Sequence, residues 1–150
     1  FFVQLNPDRA IDPESKQVHG LSGHQCNFSD NPMMETVLPQ FISHSVGKIL
    51  VGQSPRLDMD FLQTATRYNA IMLPRFQVID ISKLFFYFFP GSHKWNLDEI
   101  AIKFGLRHRE GYHNAWDDTI LTAKIFSKML TKLNHRGFSK VSDLLGISRM

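Results

Sequence analysis

Apolar and polar residues change their spacing several times along this chain, and each change marks a predicted element. Residues 1–5 (FFVQL) read as a short strand, ended by the turn signal Asn6-Pro7-Asp8. A loop follows, with a short helical turn expected after Pro13 and a break at Gly20. Asp30-Asn31-Pro32 predicts a helix start, and Met33, Met34, Val37, Phe41 and Ile42 supply a stripe at helical spacing that Pro39 can kink. Residues 48–52 (KILVG) form a compact apolar run, the pattern of a central strand buried on both faces.

Asp58 is expected to open a helix with Phe61, Leu62, Ala65 and Tyr68 on one side, and residues 76–80 (FQVID) to form another strand. Residues 81–89 read as an apolar helix stopped by Pro90-Gly91. Residues 97–104 form a further helix ended by Gly105, a natural C-cap. The longest helix spans about 115–133, with Trp116, Ile120, Ala123, Ile125, Phe126, Met129 and Leu130 as its apolar side and Trp116 and Phe126 as core residues. A last helix is expected near 139–145. Strands alternating with helices predict an α/β domain with helices packed on a sheet, and no repeat or linker interrupts it.

Composition narrows the class. The 150 residues are 43% apolar and 21% charged, ordinary for one globular domain, and 13 phenylalanines can fill a core without needing hydrogen-bond partners. Cys26 is the sole cysteine, which excludes an internal disulfide or a multi-thiolate zinc site and fits a reducing compartment. No apolar stretch approaches the roughly 20 residues of a membrane span. The start at Phe1 has no signal-peptide pattern and reads as a strand already under way. A net charge of +3 permits a polyanionic partner without identifying one, and Lys124, Lys128 and Lys132 are read as a solvated helix face, with Arg136 just beyond.

Candidate chemistry concentrates in residues 111–126 (GYHNAWDDTILTAKIF), where His113 stands five residues before Asp118 at the entrance of the longest helix. A carboxylate in a first helical turn is rigidly aimed and can bind a metal, while a histidine on the preceding loop can reach a water. This segment resembles the third motif of the DEDDh exonucleases, the family that includes the proofreading epsilon subunit of bacterial DNA polymerase III. Residues 50–62 (LVGQSPRLDMDFL) resemble the second motif, with Asp58 before Phe61 and Leu62 as its aspartate; Asp60 falls two positions late and suits the helix dipole instead. The stretch from Asn6-Pro7 to Val18-His19-Gly20-Leu21 is similar to the family's His-Gly-Ile region, and residues 80–105 to its connection between the second and third motifs. Four such segments in order are far harder to obtain by chance than one.

The resemblance implies a ribonuclease H-like mixed sheet flanked by helices, and a metal-dependent 3′→5′ exonuclease that releases nucleoside 5′-monophosphates from DNA or RNA. Asp58 and Asp118 would be metal ligands, His113 the general base, and His19 and Leu21 would line the pocket for the terminal nucleotide. Two Mg²⁺ or Mn²⁺ ions about 4 Å apart would serve a complete site. The partners implied are a single-stranded 3′ end and a polymerase or other replication protein, in the cytoplasm and without a membrane.

The chain departs from the family pattern in three places. Gln53-Ser54 stands where the family shows His-Asn, and Leu57 where it shows an aromatic residue. The first motif, Asp-x-Glu on the first strand, is absent, so the N-terminal strands are expected upstream of Phe1. Asp12-Pro13-Glu14 has the spacing but follows a turn, contains a proline and falls in the family's loop, and is rejected. Without that motif the chain as written should hold metal poorly and turn over slowly or not at all. The alternative is a catalytically inactive nucleic-acid-binding or scaffold module of the same fold; another hydrolase of that fold fits the spacing of His113 and Asp118 less well. Asp117 and Asp80 are read as helix-cap or dipole residues.

Overall fold

The computed structural model describes residues 2–6, 12–14, 30–91, 95–107 and 114–149. In chain order the elements are α1 (Met34–Ser45), β1 (Ile49–Gly52), α2 (Arg56–Tyr68), β2 (Gln77–Asp80), α3 (Ile81–Phe88), α4 (Leu97–Lys103), α5 (Ala115–Asn134) and α6 (Val141–Arg149). The α/β class expected from the alternation of patterns is present.

Strands β1 and β2 pair in parallel, Ile49 opposite Gln77 through Gly52 opposite Asp80, and are the whole sheet among the described residues. Parallel neighbours cannot be joined by a hairpin, and α2 is the crossover that carries the chain back. Both strands therefore end at the same edge, where Gly52 leads into the turn before α2 and Asp80 leads directly into α3.

Helix α3 forms the centre of the core. Its sequence, ISKLFFYF, is apolar nearly all round, and such a helix must be covered on several sides. Ile81, Leu84 and Phe85 have no exposed surface. Phe85 packs against Phe89 at 4.9 Å between ring centroids, Trp95 at 5.4 Å and Phe104 at 6.4 Å. From α4 come Leu97, Ile100 and Ala101; from α5, Leu121, Ile125, Met129 and Leu133; from α6, Leu144 and Ile147.

Local signals explain several boundaries. Asn96 and Glu99 form a reciprocal capping box at the start of α4. At its end Leu106 N–H donates to the Ala101 carbonyl and Gly105 N–H to that of Ile102, both at 3.0 Å, with Gly105 at φ 70°. That pairing is a Schellman closure, which needs a left-handed residue and so favours glycine.

The structure corrects several expectations. Residues 2–6 form no strand; Asn6 N–H donates to the Pro32 carbonyl, and a strand requires a ladder partner that no described segment supplies. β1 is half-buried along its length and not enclosed on both faces. On α2 the inward side runs through Met59, Leu62, Thr66 and Asn69, whereas Phe61 and Tyr68 point to solvent. The Thr66 hydroxyl is satisfied by the Leu62 and Gln63 carbonyls, which lets a polar residue take the buried position.

On α5 the buried ridge is Leu121, Ile125, Met129 and Leu133, at four-residue spacing. Trp116 is about half exposed, its ring edge against Phe2 at 5.7 Å, and it is not a core residue. Helix α6 runs to Arg149, past the expected end, because Leu144 and Ile147 are both buried on its inner side despite Gly146. Lys124, Lys128 and Lys132 are exposed as expected, but Arg136 stacks over Phe88 at 5.0 Å and Tyr87 at 5.9 Å.

Phe85→Ala should lower the free energy of unfolding by about 3–5 kcal/mol, the usual cost of emptying a large core site. Phe61→Ser, at a position 74% exposed, should change it by less than about 0.5 kcal/mol. Urea denaturation of both variants checks the assignment of α2's faces, and comparable losses would contradict it.

Candidate active site

Asp58 and Asp118 each lie in the first turn of a helix, Asp58 as the third residue of α2 and Asp118 as the fourth of α5. Asp58 follows β1 by way of the turn at residues 52–55. Asp118 lies near the start of α5, which packs against β1. The fold thus brings together the strand that leads to one carboxylate and the helix that carries the other. In open α/β sheets the carboxyl ends of parallel strands are where ligand crevices form; Asp80 is the last residue of β2, and Asp58 lies beyond the end of β1.

The start of α5 separates two adjacent acids. Asn114 caps the helix, its Oδ1 accepting from Asp117 N–H at 2.9 Å, while its Nδ2 donates to the Asp117 carboxylate. Asp117 is therefore engaged at the exposed helix entrance, as the cap reading expects. One residue on, a rotation of about 100° turns Asp118 toward the ridge that continues through Leu121 and Ile125. Its Oδ1 is shut off from solvent.

Asp58 is an exposed residue, and partial desolvation of its carboxyl pushes it above the usual carboxylate range, partly offset by a hydrogen bond from its own backbone N–H. A carboxylate held in this state gains from any nearby cation. Oxygen donors of this kind fit part of the ligand set of a hard divalent ion. Among the described residues, no three His, Cys, Asp or Glu side chains converge into a group able to hold a metal. Residues Asp12, Pro13 and Glu14 are exposed, with Pro13 and Glu14 in a helical turn, so this segment is not a strand-borne Asp-x-Glu. His19, Leu21 and His113 lie outside the described residues.

The turn before Asp58 is heavily tethered. Gln53 Nε2 donates to the Trp95 carbonyl at 3.2 Å, and the Ser54 hydroxyl meets that of Ser82 at 3.3 Å. Ser54 N–H donates to Asp80 Oδ1 at 3.0 Å, and the same oxygen accepts from Ser82 N–H at 2.8 Å as the cap of α3. The sequence identified Asp80 as a cap but offered no sign of its second bond, which joins residues 26 apart.

A family model for exonucleases (RNase T) matches residues 1–126. The chain belongs to the exonuclease family. It is 36% identical over 133 residues to the DNA polymerase III subunit epsilon of Aquifex aeolicus, a match that covers 89% of this chain and 64% of that protein. Against the PolC-type DNA polymerase III of Caldanaerobacter subterraneus subsp. tengcongensis the identity is 30% over 144 residues, 96% of this chain and 10% of that protein. An epsilon-like protein of Rhodobacter capsulatus is 27% identical over 148 residues, 97% of this chain and 20% of that protein. The chain therefore spans less than two thirds of each of these relatives. The likeness to epsilon that the motifs carry is what these matches find. No helix among the described residues of this exonuclease-family chain is long and apolar enough to cross a membrane.

The raised Asp58 carboxyl has a pH signature. Its protonated form favours the folded state, a contribution fully present below the ordinary carboxylate pKa and lost as pH rises through the elevated folded value. Relative to Asp58→Asn, the wild-type protein should lose thermal stability as pH rises through and just above the carboxylate range. Melting curves of both proteins across that interval, without divalent ions, test it; parallel curves would show that Asp58 is not desolvated.

Proposed function

We propose that residues 1–150 are the exonuclease domain of a metal-dependent 3′→5′ exonuclease, incomplete at its N-terminus, that releases nucleoside 5′-monophosphates from DNA or RNA. The observation that carries this reading is the divergence of Asp117 and Asp118. The Asp117 carboxylate accepts from the capping Asn114 at the exposed entrance of α5; the half-buried Asp118 carboxylate has one oxygen shut off from solvent, on a helix that lies against β1. Capping or solubility would not require the second to be buried. The exonuclease family match and the DNA polymerase III names of the relatives support a nuclease function.

In this reading Asp58 and Asp118 would hold Mg²⁺ or Mn²⁺, together with an Asp-x-Glu pair contributed from upstream of Phe1. When bound, such ions supply Lewis acidity toward the scissile phosphate. His113 would accept the proton of the attacking water, a task suited to imidazole, whose unperturbed pKa is about 6.5. His19 and Leu21 would pack against the terminal nucleotide. The exonuclease match and the DNA polymerase III names of the relatives favour proofreading beside a polymerase; a single-stranded 3′ end would be the substrate and the cytoplasm the compartment.

A second reading, a catalytically silent nucleic-acid-binding or scaffold module, is favoured by one feature of the turn. Gln53 and Ser54, in the place of the family's His-Asn, are bonded to Trp95 and Ser82 within the chain. Side chains committed in this way contribute to the fold of the turn.

In the full-length protein, His113→Ala should reduce Mg²⁺-dependent release of mononucleotides from a short single strand by about two to four orders of magnitude. Unchanged release would remove His113 from the role of base. Wild-type protein that binds the strand with Mn²⁺ and never cleaves it would favour the silent module.

A further inference from the structure

We infer that Asp80 is a positioning residue for Asp58, a role that rests on the reading of Asp58 as a metal ligand. The Asp80 carboxylate stands at the end of β2, directly opposite Gly52 in the parallel register. Its Oδ1 accepts two backbone N–H groups, one from Ser82 within its own helix start and one from Ser54 in the turn that leads to Asp58. The first bond is an ordinary N-cap. The second is not required by α3 and ties the ends of the two strands together.

The turn needs such a tether. Ser54 has φ 50°, in the left-handed region that a residue with a side chain enters only when its surroundings hold it there. Gly52 is also constrained, because a Cβ at that position would come within 3.1 Å of the Pro55 Cβ. Asp58 is the third residue of α2, so the path of this turn sets where the helix begins and where its carboxylate points. Asp80 is anchored in its turn, its own N–H donating to the Ser148 hydroxyl of α6 at 2.9 Å. A continuous line of hydrogen bonds thus runs from the C-terminal helix through Asp80 to the residue that shapes the approach to Asp58.

Three substitutions in the full-length protein separate the two bonds. Asp80→Asn keeps an oxygen able to accept from both N–H groups. Asp80→Ala removes both bonds. Asp80→Ser retains a good N-cap for α3 on a side chain too short to reach Ser54 as well, and serves if the alanine variant does not fold. Three quantities are read: amide hydrogen exchange at Ser54, Mn²⁺ affinity by water-proton relaxation without nucleic acid, and kcat and KM for mononucleotide release.

The asparagine variant should stay within about threefold of wild type in all three. Loss of a direct hydrogen-bond partner of a metal ligand typically costs about 10- to 100-fold in metal affinity or activity, and Asp80, which acts on Asp58 through the turn, sets a loss at the lower end of that range. The serine and alanine variants should therefore lose Ser54 protection and weaken Mn²⁺ binding and kcat by that factor, with KM for the strand little changed. Wild-type kcat and Mn²⁺ affinity in the serine variant, despite lost Ser54 protection, would overturn the positioning role alone. An asparagine variant as impaired as serine would also overturn it, since charge and not the shared acceptor would then matter. A wild-type protein that neither binds Mn²⁺ nor turns over would overturn the reading of Asp58, and this role with it.

Discussion

The enclosure of α3 is the constraint on which the rest of the arrangement depends. A helix reading ISKLFFYF has almost no polar side to offer water, so it is stable only where other elements surround it. Helices α4, α5 and α6 supply that cover, and Phe104, Trp95 and Phe89 close over Phe85. Because α3 follows β2 without a loop, burying it also places the end of the strand, and with it Asp80, at a set point relative to the sheet.

That point is shared with the candidate site. The parallel pairing brings the ends of β1 and β2 level, so one carboxylate at the end of β2 can cap α3 and still hold the turn that leaves β1. Core and site are coupled through a few hydrogen bonds as well as through packing. In contrast, the outer side of α2, with Leu57, Phe61 and Tyr68, takes no part in the core.

Carboxylates a short distance apart in sequence have different surroundings. Asp117 faces solvent at a capped helix entrance, and Asp118 faces inward; Asp58 is partly desolvated on a mostly exposed helix, and Asp80 is bonded to two backbone donors. Burial, capping and bonding decide which of these acids is available to a cation, and the difference between neighbours can be a single step of helical rotation.

Much of this was legible in the residues themselves. Periodicity marks α1 and α3–α5, and the apolar runs mark β1 and β2, because a short element's own side chains decide whether one face can be buried. Motif order points to the exonuclease family, since spacing along the chain survives where pairwise identity is low. What only the tertiary structure decided concerns partners. Whether Trp116, Phe61 and Tyr68 are core depends on what packs against them, and here they face outward. Whether residues 2–6 form a strand depends on a neighbour to complete its ladder. The double duty of Asp80 joins positions 26 residues apart, a contact that no local pattern encodes and that exists only once the two strands lie side by side.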